Sequence, residues 1–480
     1  MRKHLLSAVL LTAMALSVTA CGGSSSEETT AAQAAGTQAA AAEEAAGEEA
    51  SGETEAAGEA EEVYPDGTMT IYAYGQPQYL QIYFDDWLER NRDIAPGVSI
   101  EIVQTQDVND AREKISMTYL SGAMDDLPTA TMIDPVSLID LAKGGILLDV
   151  TEDATPLIPE LVEGAFNDAT LDGKIYGYPD SVRPQLLFYN QRIFDEYGVD
   201  PAQMETIEGW IEAGRQLKEK SGGATYLSYI DPTNHTWRYY GRRGLMPQAG
   251  ARIWDDQGNV VIGTDEGAKR AFTTLDTLCQ EDLLFKSTIL EPPMYDSIRE
   301  DKIATFYIGA FWDEFLRLNV PETAGDWRVM KAPVYEDLNL GGAPVSQYWA
   351  LINNPDDPYT TLFQKLWHDF QFDNEARKEW VNEVESQNGP YANPVALSML
   401  EDPFWKEPSD FYGGQSFREM EGKGLENSSQ NLVVTPEDSE ADTIISAELE
   451  KYVAGDQTMD EAIANMQANL ESRIGQATIQ

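Results

Sequence analysis

Between Asp172 and Asp200 the chain reads DGKIYGYPDSVRPQLLFYNQRIFDEYGVD, and its chemistry-bearing side chains are hydrogen-bonding ones. Arg183, Gln185, Tyr189 and Asn190 fall around the end of an apolar strand, the position at which α/β proteins open a ligand crevice. None of them reads as a nucleophile. The three histidines, at 4, 235 and 368, share no metal-ligand spacing. No GxxxxGK[ST] or GxGxxG run is present to cradle a phosphate. Asp255-Asp256-Gln257-Gly258-Asn259 has the look of a calcium loop but lacks its ligand spacing and closing glutamate, and reads as a hairpin turn between Ile253-Trp254 and Val260-Val261-Ile262. Glycoside hydrolysis needs two carboxyls about 5–10 Å apart. With 82 acidic residues such pairs arise by chance, so their abundance argues nothing.

The elements that must carry these side chains follow from periodicity. MTIYAYG, from Met69, alternates as a strand; Gln78 to Asn91 is a helix with Phe84, Trp87 and Leu88 inward; Ser99 to Gln104 is a second strand. This βαβ rhythm predicts a mostly parallel sheet. A helix from Val108 stops at Gly122, and the strand Ala130 to Ile133 ends just before Asp134, which stands ready to cap the helix beginning at Val136. Leu186 to Tyr189 is a strand followed by a helix closed at Gly198, and Thr305 to Gly309 is another strand running into Phe311-Trp312. No internal repeat is visible.

At 480 residues the chain holds two or three domains' worth of core, with 10 Trp, 22 Tyr and 15 Phe to fill it. Its 82 acidic against 33 basic residues give a net charge of −49, a field that repels nucleic acid and anionic membrane surfaces alike. With two cysteines, Cys21 and Cys279, no disulfide framework holds the fold. Cys279 falls on the apolar side of a helix with Phe272, Leu275 and Leu278 and reads as a small buried hydrophobe.

Several runs together resemble family 1 extracellular solute-binding proteins, the ligand-capturing subunits of ABC importers. They are the 172–200 stretch, the strand, acidic residue and helix at 130–149, the strand ending in glycine and aromatics at 300–312, Asn388-Gly389-Pro390-Tyr391, and a terminal helix pair over 448–474. The resemblance implies a two-lobed α/β fold of the periplasmic-binding-protein kind (class II), with discontinuous lobes: residues 63–182 plus 334–390, and 183–333 plus 391–480. It implies capture of a carbohydrate in the cleft, an oligosaccharide foremost, and delivery to a membrane permease, with no catalysis and no cofactor or metal. ATP hydrolysis would belong to a separate subunit, and the binding subunit would act as a monomer. By position along the matching motifs, the ligand-contact points fall on Tyr74, Asp134, Arg183, Trp237, Trp312 and Trp349. Aromatic faces against sugar C–H surfaces and charged groups on vicinal hydroxyls are the chemistry such a site needs. Arg183, His235, Arg238, Arg242 and Arg243 read either as a salt-bridged surface or as a pocket for an acidic sugar or sugar phosphate. A surface-anchored glycoside hydrolase and an adhesion lipoprotein are the readings from other classes.

The first 62 residues are different in kind. Met1-Arg2-Lys3 and the 12 apolar-rich residues Leu5 to Leu16 form a signal peptide over 1–20, too short to cross a bilayer core of about 30 Å. Val18-Thr19-Ala20-Cys21 resembles the bacterial lipobox, whose cysteine takes a diacylglycerol. Residues 22–62 carry 11 Glu, no Lys or Arg and no aromatic, and read as a disordered tether holding the body off the outer face of the cytoplasmic membrane. Changing Cys21 to Ser should leave the protein unprocessed or release it into the medium; metabolic labelling with a tritiated fatty acid checks this, and continued labelling of the variant would contradict the anchor.

Overall fold

The computed structural model describes residues 63–429 and 432–479, so the signal peptide, Cys21 and the glutamate-rich tether lie outside the described residues. Eight strands build the two main sheets: β1 (Gly67–Ala73), β2 (Val98–Gln104), β3 (Ala130–Ile133), β4 (Tyr178–Arg183), β5 (Gln185–Asn190), β6 (Thr305–Gly309), β7 (Trp327–Lys331) and β8 (Val345–Leu351). The first sheet has the order β2-β1-β3-β8-β4, and the second β6-β5-β7.

In the first sheet the predicted βαβ rhythm is present. β1 pairs in parallel with β2, Met69 opposite Ile100, and with β3. The connecting helix Pro77–Arg90 starts on a proline, which donates no N–H and is preset for the first turn. It buries Tyr83, Phe84, Trp87 and Leu88, the i, i+4 stripe of an amphipathic helix. Helix Val108–Ser121 is capped by the Asp107 side chain on the Asp110 amide and ended by Gly122 at φ +76°, a left-handed turn that favours glycine. β8 and β4 then add antiparallel strands, so the sheet is mixed. The second sheet departs from the parallel expectation altogether: β6 and β7 flank β5 antiparallel on both sides.

Strand alternation on β8 feeds two cores. Tyr348, Ala350 and Ile352 pack with Ile133 and Leu138 on one face. Trp349 and Leu351 point the other way, toward Phe84 and the helices Thr360–Phe372 and Asn374–Ser386. A separate, larger core surrounds the β6-β5-β7 sheet and takes in Trp210, Trp312, Trp327 and the terminal helices Asp438–Ala454 and Met459–Arg473. Each sheet therefore has its own hydrophobic core, which is what makes the body two-lobed.

The chain passes between the cores three times. Pro184 joins β4 to β5; the segment after Tyr335, still in the second core, returns to β8; the last passage lies between Trp405 and Phe411. The sequence placed that last passage at 390–391. Val395, Ala396, Met399, Phe404 and Trp405 instead stay with the first core, because their apolar side chains cover the outer helices there. Trp405 also donates its indole N–H to Asn374 Oδ1 at 3.4 Å.

Trp312 illustrates how tightly the second core is filled. It is fully buried, with Phe306 at 4.8 Å, Phe315 at 6.0 Å and Tyr295 at 6.2 Å between ring centroids. Trp312→Ala should lower unfolding stability by about 3–5 kcal/mol, read from urea titration; a loss under about 1 kcal/mol would contradict this packing.

Candidate functional site

The parallel strands β1 and β3 deliver their next residues, Tyr74 and Asp134, to the edge where the first lobe faces the second. Two adjoining cavities of about 440 and 360 Å³ lie there, and both are lined by Asp134, Arg238, Arg243, Val345 and Ser346. Carboxyl ends of parallel strands are where open α/β sheets leave a crevice. The Asp134 Oδ1 accepts from the Ser137 amide at 2.9 Å, so this carboxylate caps helix Pro135–Lys143 and faces the cleft at once. Gln347 donates to the Tyr74 hydroxyl. Burial and the nearby Asp134 charge hold that hydroxyl well above the usual phenol range.

Across the cleft the second lobe presents an unusual element, the ten-residue π-helix Thr236–Leu245. Its i→i+5 repeat stacks residues five apart, which an α-helix would splay to different faces. Trp237 and Arg242 are one such pair, and both bind Asp442: the indole N–H at 2.6 Å and the guanidinium at 2.8 Å. Arg242 is also paired with buried Asp438. Arg238 and Arg243 are the next pair, and both line the two cavities. Their guanidinium carbons lie 6.0 and 5.9 Å from the centroid of the Tyr239 ring. Gly241 makes room for this winding, since a Cβ there would stand 2.3 Å from the Trp237 ring.

Of the six ligand-contact residues expected from the sequence, Tyr74, Asp134, Arg183 and Trp237 line the cavities. Trp312 and Trp349 do not: each sits in a lobe core, and Trp349 spends its indole N–H on Asp180 Oδ1 at 2.9 Å. Trp237 is 2% exposed and tied to Asp442, so it walls the larger cavity and leaves almost no ring surface open to a ligand. Arg183 is engaged too. Its Nε donates to Glu421 at 2.6 Å, its Nη1 to Glu314 and its Nη2 to the Ala310 carbonyl at 3.1 Å. Because Arg183 ends a first-lobe strand and both carboxylates belong to second-lobe helices, the group braces the hinge.

Besides Tyr74, further aromatic rings in the cleft come from residues not among the six expected contacts. Tyr79, Tyr239, Phe311, Phe315 and Tyr391 line the smaller cavity. Phe311 and Phe315 lie one turn apart, edge to face at 6.2 Å. The i, i+4 spacing of Phe311 and Phe315 against Trp312 and Leu316 was the available signal: one pair faces the cleft and the other the core. Leu290, at φ +66°, also reaches the cavity from a left-handed conformation that leucine rarely adopts. The carboxylates of the smaller cavity all have partners: Asp107 and Asp134 cap helices, Asp180 holds Trp349, and Glu314 holds Arg183. Among the described residues no cluster of His, Cys, Asp and Glu could hold a metal ion.

Residues 89–288 match the family described as bacterial extracellular solute-binding protein. The arabinooligosaccharide-binding protein of Halalkalibacterium halodurans is 24% identical over 274 residues, covering 55% of this chain and 58% of that protein. The lactose-binding protein of Rhizobium radiobacter is 21% identical over 366 residues, 73% of this chain and 80% of that one. Among solved structures, the ABC transporter associated binding protein of B. animalis subsp. lactis, in complex with beta-1,6-galactobiose, superposes with a TM-score of 0.70 at 20% identity. The match covers 85% of this chain and 97% of that one.

Burial pushes the Glu314 carboxyl up to about 7, against the opposing pull of Arg183. The folded state thus keeps a proton that the unfolded chain gives up near 4.5, and stability falls as pH rises from about 4.5 to 7. The effect is on the order of 3 kcal/mol. Glu314→Gln should flatten this slope relative to the parent protein, measured as melting temperature from pH 4.5 to 8; identical slopes would contradict it.

Proposed function

We propose that this chain, a member of the bacterial extracellular solute-binding proteins, captures an oligosaccharide between its lobes and presents it to the permease of an ABC importer. The observation that carries the reading is the cleft itself. Half-buried aromatic rings from both lobes, Tyr79 on one side and Phe311 and Phe315 on the other, face a cavity rimmed by hydrogen-bonding groups. Flat rings match the C–H faces of pyranose and furanose rings, and the polar rim matches their hydroxyls. The saccharide-binding names and complexes of the relatives support the same chemistry. The partners of the smaller cavity's carboxylates in caps and braces favour binding over glycoside hydrolysis there, which needs one carboxyl free as acid and another as base or nucleophile.

Mechanism follows from the three passages between the cores. Ligand held by both lobes favours a closed arrangement, and its affinity is the intrinsic one reduced by the cost of closing. The closed outer surface is what the permease would recognise. In this reading Arg183 with Glu314 and Glu421 keeps the hinge in register while the lobes move. The protein works as a monomer, held through Cys21 at the outer face of the cytoplasmic membrane.

A thermal-shift screen of the purified protein against mono- and oligosaccharides, with amino acids and polyamines as controls, tests this. A saccharide at a hundred times its dissociation constant should add about 2.7 kcal/mol, a rise of a few degrees. Phe315→Ala should weaken that saccharide about tenfold, roughly 1.4 kcal/mol, with little change in the ligand-free melting temperature. A shift given by amino acids or polyamines alone would contradict the proposal.

A further inference from the structure

In a protein with 82 acidic and 33 basic residues an arginine has no shortage of partners. Among the described residues nearly every guanidinium has taken one: Arg183 two glutamates, Arg242 two aspartates, Arg317 buried Asp313. Arg377, which has no carboxylate, donates to the carbonyls of Phe370 and Ala392, and Arg328 to those of Gly325 and Trp327. Arg238 and Arg243 differ from all of these. Their guanidinium groups form neither an ion pair nor a hydrogen bond among the described residues, and both approach the ring of Tyr239. Both line the two cavities, and both come from the same face of the π-helix.

The cleft around them is charge-balanced, with six arginines and six carboxylates across the two cavities, against the strongly negative whole. Four of those charges pair with each other, Arg183 with Glu314 and Arg242 with Asp442. Asp134, on the opposite lobe, attracts both of these arginines, Arg238 and Arg243, and Asp442 attracts Arg238 as well, but neither carboxylate forms an ion pair with either one. What the two guanidiniums lack is an anion at hydrogen-bonding distance, not charge balance across the whole cleft. Closing the lobes over a neutral sugar would desolvate both with no partner in place, which is unfavourable. Burial, and after it the charge of Arg238 alongside, lower the Arg243 guanidinium to about 10. A planar carboxylate accepts two parallel hydrogen bonds from a guanidinium and brings one negative charge. A phosphate, near −2, would bring twice that into a cleft whose charges already balance.

Resting on the saccharide-binding reading, we infer that the ligand is a uronate-bearing saccharide whose carboxylate sits between Arg238 and Arg243, with its sugar rings against Tyr239, Phe311 and Phe315. The π-helix supplies the specificity: it turns Trp237 and Arg242 onto Asp442 and leaves Arg238 and Arg243 for the ligand.

The test is calorimetric titration of the whole purified protein with short oligomers of galacturonate, glucuronate and mannuronate. Each is compared with its own methyl ester, which keeps shape and loses charge, and with neutral and phosphorylated saccharides of equal length. At least one uronate oligomer should bind 30-fold or more tighter than its ester, and the advantage should shrink as salt rises from 50 to 300 mM. Arg238→Gln with Arg243→Gln should abolish the preference for acid over ester while leaving the ligand-free melting temperature within a few degrees. Arg243→Lys, which keeps charge but not the planar fork, should retain part of it. Equal binding of acid and ester, or binding of neutral or phosphorylated saccharides alone, overturns this inference and leaves saccharide capture standing. Binding of no saccharide of any charge overturns both. The acid-versus-ester comparison reads the native protein, so it decides even if the double variant fails to fold.

Discussion

One buried guanidinium fixes how the two halves of this protein meet. Arg183 closes the last strand of the first sheet, and the next residue but one opens the central strand of the second. Its bonds to Glu421, Glu314 and the Ala310 carbonyl are made across that junction. Burying a charge without partners is costly, so the arginine and its two glutamates hold one another in place. The price is visible in the carboxyls, both of which burial pushes up from the ordinary glutamate range. With the junction anchored here, the cleft has a fixed inner end.

Everything that lines the cleft is then positioned by strand ends and one helix. Tyr74 and Asp134 follow directly from parallel strands, and Phe311 and Phe315 from the turn after β6. The π-helix at 236–245 does what an α-helix of the same sequence would not. By stacking residues five apart it sorts four cationic or aromatic side chains into a pair bound by Asp442 and a pair facing open space. A rare winding held together by its surroundings is the kind of departure from regular structure that concentrates at binding sites.

Much of the fold was legible. The βαβ start, the cap at Asp134, the left-handed stops at Gly122 and Gly198, and the terminal helix pair all follow from local residue chemistry. The site was half legible. Tyr74, Asp134, Arg183 and Trp237 do reach the cleft, while Trp312 and Trp349 fill cores. At both misplaced tryptophans a large aromatic at a strand end fits core and cleft equally well until the face it points to is known. For Trp349 strand alternation decides, setting it against Phe84 and opposite Tyr348. For Trp312 one step of the chain separates it from Phe311, which does face the cleft.

By itself the sequence determined the things that depend on near neighbours: the strands and helices, their caps, the acidic surface, and an N-terminal segment too polar and charged to build a core. Which charges find partners depends on residues 50 to 240 positions apart, such as Arg183 with Glu421 or Arg242 with Asp438. Only the tertiary structure could separate the arginines that are spent from the two that are not. The antiparallel second sheet and the late passage after Trp405 were settled the same way, by which apolar faces cover which core. Local chemistry sets each element; long-range packing and pairing set what is left exposed to do the binding.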